Sequence, residues 1–189
     1  MKVIPLFKNE SRLIERAVKH NRKAQQQLYE LYSEKMLSVC RMYVKDLQHA
    51  EEVMLSAFLK VFRYLGDFRN EGSFEGWIRR IMVRECISHL RKQKQLEFRE
   101  EEIELLQPGS NEIESALEVE HIQQLIDSLP EGYKLVFVMY AIEGYKHHEI
   151  AEALGITEGT SKSQLFKARK MLQEKFKTAT TTGYGTTKI

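Results

Sequence analysis

The sequence predicts an all-α protein made of two small helical domains joined by a flexible acidic linker. Three observations predict this fold class. Apolar residues recur three and four positions apart along most of the chain, as in amphipathic helices, and no stretch alternates with the period of a strand. The length of 189 residues suits one large or two small domains. Residues 95–115 lose the helical spacing and contain a Pro-Gly pair, which marks the linker.

Charge is distributed unevenly along the chain. The formal net charge is only +2, but residues 96–120 hold nine Glu and one Arg, a net of −8, so the remainder carries +10. This asymmetry fits a nucleic-acid-binding protein better than a generic enzyme. Two cysteines within apolar helical patterns indicate reduced thiols. Because no long apolar segment is present, we expect a cytoplasmic protein without membrane insertion.

The first domain, residues 1–94, is predicted to begin with three helices. Ser11 is expected to cap a first helix over residues 12–19, and Asp46 to cap a third that stops before Gly66. A longer second helix lies between them. Its residues spaced for burial are Ala24, Leu28, Leu31, Tyr32, Val39, Cys40, Tyr43 and Val44.

The third helix carries more apolar residues than one core face requires. Leu55 and Leu59 lie one turn apart, more than about 100° from the centre of the core stripe. Glu52 and Ser56 lie beside them. Two interpretations remain open: an N-terminal helix covers both leucines, or they form a docking patch for a partner protein.

A fourth helix is predicted from Phe74 to about Lys92, with Ser73 as its N-cap after a polar loop. One side is apolar, and the opposite side carries a row of arginines. Aromatic residues lie at the head of this row. The residues expected to hold single-stranded nucleic acid are Phe68, Phe74, Trp77, Arg80, Arg84 and Arg91.

The chemistry behind this expectation is that unstacked bases lie on aromatic rings while cations follow the backbone. The alternative is that Phe74 and Trp77 belong to the hydrophobic core. A duplex-binding element later in the same chain would favour the nucleic-acid interpretation over this alternative.

The second domain, residues 116–177, is preceded by a helix start near Ile113. This helix is expected to bury Leu117, Val119, Ile122, Leu125, Ile126 and Leu129. Pro130 is expected to begin the next helix, because the first helical position tolerates proline, and residues 135–142 to be buried. Residues 178–189 are small and polar, which predicts a disordered tail.

The end of this domain predicts a helix-turn-helix. A short amphipathic helix spans His148 to Leu154, Gly155 follows as a left-handed C-terminal cap, and Thr157 can cap a longer helix. In a helix-turn-helix the second helix enters the major groove.

The second helix has an apolar side and a cationic side. Residues 157–177 carry six Lys or Arg and two Glu, a net of +4. Phe166 lies among the lysines, where an apolar ring can meet a thymine methyl. A solvated charged face is the alternative. The residues expected to contact duplex DNA are Thr160, Lys162, Ser163, Phe166, Lys167 and Lys170.

The chain resembles the extracytoplasmic-function group of bacterial sigma-70 factors over about residues 12–176. The resemblance lies in DLQHAEEVMLSAFLKVFRYLGDFRNEGSFEGWIRRIMVRECISHLRKQ and LPEGYKLVFVMYAIEGYKHHEIAEALGITEGTSKSQLFKARK, in this order around an acidic linker. It implies a non-catalytic subunit whose partners are core RNA polymerase, promoter DNA and an anti-sigma factor.

The resemblance also implies roles for particular residues. The segment with Glu52, Leu55, Ser56 and Leu59 would meet the polymerase clamp. The loop over residues 67–74, with Arg69 and Asn70, would capture a flipped −10 base. The arginine row would follow the opened strand, and the second helix of the helix-turn-helix would meet the −35 element.

Three residues depart from the family pattern. Ser56 stands where an acidic residue is common, and Ser161 stands where valine is common. A bond from the Ser161 hydroxyl back to a preceding carbonyl would satisfy that hydroxyl on the core stripe. Lys146 stands where Ser or Thr often caps the first helix of the helix-turn-helix, so half of a capping box with Glu149 is absent.

Two other classes of function are weighed against the sigma-factor interpretation. A dimeric helix-turn-helix regulator would act without the polymerase, but no dimerisation seam is evident and the arginine row would have no role. For an enzyme, the adjacent His147 and His148 diverge by about 100° on a helix and cannot share a metal. We expect no catalytic residue, metal, cofactor or small-molecule substrate.

Overall fold

The computed structural model describes residues 6–93 and 117–183 of the chain. Every regular element in these residues is helical, which confirms the all-α fold class. The chain divides into two compact units, Met1–Gln93 and Lys94–Ile189. The predicted linker, residues 95–115, lies outside the described residues.

Unit 1 consists of four α-helices and one short turn of 3-10 helix. In chain order these are α1 (Leu6–Val18), α2 (Arg22–Tyr43), α3 (Leu47–Arg63), the 3-10 turn (Leu65–Asp67) and α4 (Phe74–Gln93). Two predicted N-caps are confirmed. Asp46 accepts a hydrogen bond from the His49 N–H at 2.8 Å, and Ser73 accepts one from the Gly76 N–H at 3.1 Å.

Helix α2 is central to this unit, because it packs against α1, α3 and α4. The Tyr32 hydroxyl donates to the Glu10 carboxylate and so ties α1 to α2. Burial, together with this carboxylate, raises the pKa of Tyr32 well above its usual value. The buried core includes Leu28, Met36, Val61, Leu65, Ile78 and Met82.

Two predictions about helices α1 and α2 are wrong. Helix α1 begins at Leu6, so Ser11 lies inside it and is not its cap; no Gly or Pro between these residues would interrupt a helix. Leu31 is 49% exposed rather than buried, because about 100° of helix rotation turns it away from the buried Tyr32 that follows.

Unit 2 is also helical throughout its described part. Its elements are α5 (Leu117–Asp127), α6 (Glu131–Phe137), a π-helical turn (Val138–Ile142), α7 (His147–Leu154) and α8 (Glu158–Gly183). Leu135, Val136, Ile150 and Ala168 are buried. A buried ion pair, with Lys134 Nζ 2.6 Å from Asp127 Oδ1, joins α6 to α5.

Several boundaries and burials in unit 2 differ from the sequence predictions. Pro130 has an extended ψ of 144° and precedes α6 instead of beginning it. The segment expected to be a buried helix is a π-helical turn after Phe137, and its last residue, Ile142, is 38% exposed. Ile122 is 54% exposed although Ile126, one turn later on the same face, is buried; the buried part of this region lies at the C-terminal end of α5.

Leu125, also expected to be buried, is half-buried. The side chains of Leu117 and Val119, and the predicted helix start near Ile113, lie outside the described part of the chain. Helix α8 continues six residues into the predicted tail and ends at Gly183. The Ala and Thr residues of this stretch can extend a helix when no proline interrupts it. Residues 184–189 lie outside the described residues.

Candidate nucleic-acid interface

Helices α7 and α8 form the predicted helix-turn-helix, with α7 one residue longer than expected. Gly155 has a φ of 71°, the left-handed conformation that favours glycine, and its N–H donates to the Ala151 carbonyl at 2.9 Å. Thr157 Oγ1 accepts the Thr160 N–H at 3.0 Å and caps α8. The prediction of helix, glycine turn and capped helix is therefore confirmed.

The side of α8 that faces away from the core carries lysines around an exposed ring. Phe166 is 70% exposed, and Lys162, Ser163 and Lys170 are exposed around it. Lys167 is half-buried at the edge, with its Nζ 5.9 Å from the centre of the Tyr133 ring. We call Lys162, Ser163, Phe166, Lys167 and Lys170 the lysine face.

Two hydroxyls, that of Thr160 beside this face and that of Ser163 within it, make local hydrogen bonds. Thr160 Oγ1 lies 2.9 Å from Thr157 Oγ1 at the N-terminus of α8. The Ser163 hydroxyl donates to the Thr160 carbonyl at 3.0 Å. Lys162 Nζ lies 3.8 Å from a Glu158 carboxylate oxygen in an exposed pair, which is screened by solvent and leaves the ammonium available.

Sequence reasoning missed a layered contact at the flank of the lysine face. The Tyr140 ring stacks on His147 with centroids 4.6 Å apart, and the Arg169 guanidinium lies 5.6 Å from the Tyr140 centroid. His147 Nδ1 is 2.9 Å from the hydroxyl of the fully buried Ser161. No local spacing predicts these contacts, because the four residues come from three elements.

This contact determines how the Ser161 hydroxyl is bonded and perturbs the pKa of His147. Ser161 bonds to His147, not to a preceding carbonyl, because the imidazole lies within reach of its hydroxyl. Burial lowers the pKa of His147; Lys162 and Arg169 lower it further, and Glu158 opposes them.

In unit 1, three aromatic rings meet where the 67–73 loop joins α4. The Phe68 centroid lies 5.1 Å from Phe74 and 5.6 Å from Trp77, and the Phe74 and Trp77 rings stack at 5.8 Å. Phe74 is only 3% exposed, whereas Phe68 and Trp77 are half-buried. The expectation that Phe74 itself contacts DNA is therefore wrong: it is a core residue that supports Trp77.

An arginine face continues from this cluster along α4. Trp77, Arg80 and Arg84 are spaced three and four residues apart, which places them on one side of the helix. The side chains of Arg80, Arg84 and Arg91, which define the arginine face, are exposed. Two ion pairs link α4 to neighbouring helices: Lys35 on α2 with Glu75 at 2.9 Å, and Lys60 on α3 with Glu85 at 2.5 Å.

The loop before α4 makes a sharp turn that leaves its polar residues exposed. Asn70 has a φ of 57° and Gly72 a φ of 118°, both in the region that most side chains avoid. Arg69 and Asn70 are exposed. The loop therefore leaves both side chains free to contact a ligand.

A separate apolar surface lies on α3. Leu55 is 50% exposed and Leu59 is 71% exposed, with Glu52 and Ser56 exposed beside them. Helix α1 packs against α2 and the 3-10 turn and leaves both leucines uncovered. The interpretation in which an N-terminal helix buries them is wrong. We call these four residues the α3 patch.

Two kinds of feature are absent from residues 6–93 and 117–183. No helix there is both long enough and apolar enough to cross a membrane. No group of three or more His, Cys, Asp or Glu side chains in the same residues is arranged to hold a metal ion.

Comparison with known proteins accounts for both units. The family models for Sigma-70 region 2 and Sigma-70, region 4 match residues 28–95 and 120–172. The chain is 30% identical over 132 residues to RNA polymerase sigma factor SigV of Bacillus subtilis. The aligned region covers 69% of this chain and 78% of SigV. This chain belongs to the sigma-70 family.

Further similarities identify the group within the family. The sigma factor is 29% identical over 176 residues to the ECF RNA polymerase sigma-E factor of Escherichia coli, covering 86% of this chain and 92% of the relative. Its fold is similar to that of the sigma factor RpoE from Bartonella quintana, solved in complex with the anti-sigma factor NepR, with a TM-score of 0.54. The two sequences are 20% identical, and the match covers 80% of this chain and 96% of RpoE.

The protein is thus an RNA polymerase sigma factor of the extracytoplasmic-function type, and its partners are core RNA polymerase and promoter DNA. It directs core polymerase to specific promoters and initiates transcription. These findings do not favour the dimeric regulator.

Proposed function

We propose that this sigma factor contacts promoter DNA through two surfaces that bind different states of the DNA. The lysine face and Thr160 read the −35 element as duplex, within a region 4-like domain over residues 116–177. A region 2-like domain, residues 1–94, melts the −10 element. It holds the opened strand with Phe68, Arg69, Asn70, Trp77, Arg80, Arg84 and Arg91.

The contrast between the two aromatic sites supports this division. Phe166 is 70% exposed among lysines on a helix of the helix-turn-helix, where its ring can meet a thymine methyl in the major groove. Trp77 is half-buried and stacked on the buried Phe74, so it offers a rigid platform to an unstacked base.

Transcription from intact and pre-melted promoters tests the proposal. Lys162→Ala with Phe166→Ala should reduce closed-complex formation, and a pre-melted −10 bubble should not restore transcription. Lys162→Ala alone should lower the salt slope of duplex binding by about one unit, the loss of one phosphate contact. Trp77→Ala should leave closed complexes near normal and slow opening, since a stacked base gains roughly 1–3 kcal/mol.

The bubble should largely restore transcription by the Trp77→Ala protein. Lys45→Ala, which removes an exposed lysine outside both surfaces, is the matched control and should behave as the unaltered protein. Equal rescue of both mutants by the bubble, or rescue of neither, would contradict the division of labour.

Docking to the polymerase clamp is assigned to the α3 patch. Exposed adjacent leucines on a folded helix are typical of a protein-binding surface. Glu52 and Ser56 supply polar groups at its rim. Ser56 lacks the charge of an acidic residue, so the apolar contact carries most of the affinity in this proposal.

An anti-sigma factor is the third proposed partner, because the Bartonella quintana relative was solved with one. We place its contact on the α3 patch, where it would exclude the polymerase. A photoreactive residue at Leu59 should crosslink in cells to a polymerase subunit and, separately, to a small protein. A crosslinked small protein found together with the polymerase would contradict exclusion.

The protein is proposed to work in the cytoplasm, where its polymerase and DNA partners are, and to catalyse no reaction of its own. Its family consists of transcription initiation factors, which supports the non-catalytic role. Its mass in solution should be that of a monomer; an obligate dimer would support the regulator interpretation.

A further inference from the structure

The first residue of α7 is fixed on two sides. The Nδ1 atom of His147 lies 2.9 Å from the Ser161 hydroxyl on α8, and its ring stacks on Tyr140 from the π-helical turn at 4.6 Å. Arg169, also on α8, lies over the Tyr140 ring. One imidazole thus links α7 to α8 and to the element before them.

The burial of Ser161 determines which ring nitrogen carries the proton. Ser161 is 0% exposed, and its hydroxyl has no other hydrogen-bond partner in the described part of the chain. A buried hydroxyl hydrogen without an acceptor is costly, so this hydrogen points at Nδ1, which must keep its lone pair. The ring proton of His147 is then on Nε2, and the ring is neutral.

The charges around the ring favour the same state. Lys162 and Arg169 on α8 are positive. Among the described residues, Glu158 is the one negative group that acts on the ring. Tyr140 is neutral and Ser161 uncharged. A protonated His147 would meet two cations in a half-buried place, which accords with the lowered pKa of this residue.

We infer that neutral His147 is a positioning residue for α8, which it holds against α7 through Ser161 and Tyr140 in the orientation that places the lysine face on base edges. This inference rests on the proposed role of α8 as the duplex reader. Loss of the Nδ1 acceptor leaves the Ser161 hydroxyl unsatisfied, and α8 relieves this by shifting. Base contacts are then lost while phosphate attraction persists, so discrimination between sequences falls more than overall affinity.

Two substitutions separate the acceptor from the stacked ring. His147→Phe keeps a ring on Tyr140 and removes the acceptor, whereas His147→Asn keeps an oxygen acceptor near the Nδ1 position and cannot titrate. The measurement is the ratio of affinities for the −35 duplex and a scrambled duplex. His147→Phe should lower the ratio by about tenfold, the value of one base contact. His147→Asn should retain most of it, and Ser161→Ala added to His147→Phe should recover part of the loss.

The pH profile provides a readout that a purely structural role would not give. In the unaltered protein the ratio should fall only at a pH below the usual histidine pKa of about 6.5, because the pKa of His147 is lowered and protonation removes the acceptor. His147→Asn should abolish this dependence. The 15N NMR shifts of the His147 ring in the full chain should show a proton on Nε2 and none on Nδ1 at neutral pH, whatever the mutants do.

A proton on Nδ1 at neutral pH, or equal ratios for the Phe and Asn variants, would overturn the inference. The Lys162→Ala and Phe166→Ala protein serves as the separate control. If it binds the −35 duplex normally, the proposed function fails; if it is impaired while His147→Phe is not, only the positioning role fails.

Discussion

Lys146 leaves part of the N-terminal end of α7 without a side-chain cap. Its N–H donates to a Glu149 carboxylate oxygen at 2.8 Å, so one half of a capping box is present. Its own side chain has no acceptor for the N–H groups of the first turn. At the scale of single residues, this is a place where the chain can gain stability.

Lys146→Ser should raise the unfolding free energy of unit 2 by roughly 0.5–1 kcal/mol, the usual value of an N-cap hydroxyl. Denaturant unfolding of the full chain, followed by circular dichroism, measures this. Lys146→Ala is the control, because it removes the same ammonium without adding an acceptor. If serine gives no gain over alanine, the capping argument is wrong; a gain together with weaker duplex binding would show that Lys146 also contacts a phosphate.

At the scale of the element, α3 has two faces with different tasks. Val53, Ala57 and Val61 are buried and hold the helix in unit 1. Leu55 and Leu59 lie on the exposed side, where their removal costs little folding energy.

Replacing both Leu55 and Leu59 with Ser should abolish binding to core polymerase and leave helicity and melting temperature nearly unchanged. Pull-down with core polymerase and thermal unfolding give the two readouts. Leu47→Ser is a matched control on the same helix, since Leu47 is 54% exposed and lies outside the α3 patch. Unfolding of the double mutant, or normal polymerase binding by a folded one, would count against the docking surface.

At the scale of the whole molecule, the two units have separate buried cores and can be followed by different probes. The chain has one tryptophan, Trp77, and it lies in unit 1. The Lys134 and Asp127 side chains, 7% and 6% exposed, form the buried ion pair of unit 2. Removing one partner of such a pair leaves the other charge buried without its ion pair.

Lys134→Met should destabilise unit 2 by about 3–5 kcal/mol. The part of the circular dichroism transition that belongs to unit 2 should then shift to lower denaturant, while the midpoint of the Trp77 fluorescence transition stays in place. Lys134→Met with Asp127→Leu should recover most of the loss, because no charge remains buried. An equal shift in fluorescence would show that the two units unfold as one.

Local spacing and cap chemistry were enough to predict much of this protein. Asp46, Ser73, Gly155 and Thr157 act where the sequence placed them, because capping involves only residues a few positions apart. The exposure of Phe166 could be read from helical periodicity. The functional roles of the site residues stay predictions.

Contacts between elements were decided only by the tertiary structure. Periodicity places Leu55 and Leu59 off the core stripe, but whether another helix covers them depends on where α1 packs. Phe74 was assigned to DNA, yet neighbouring helices bury it beneath Trp77. The bond between His147 and Ser161 joins residues on two helices, and a one-dimensional pattern carries no information about which side chains meet across a helix interface.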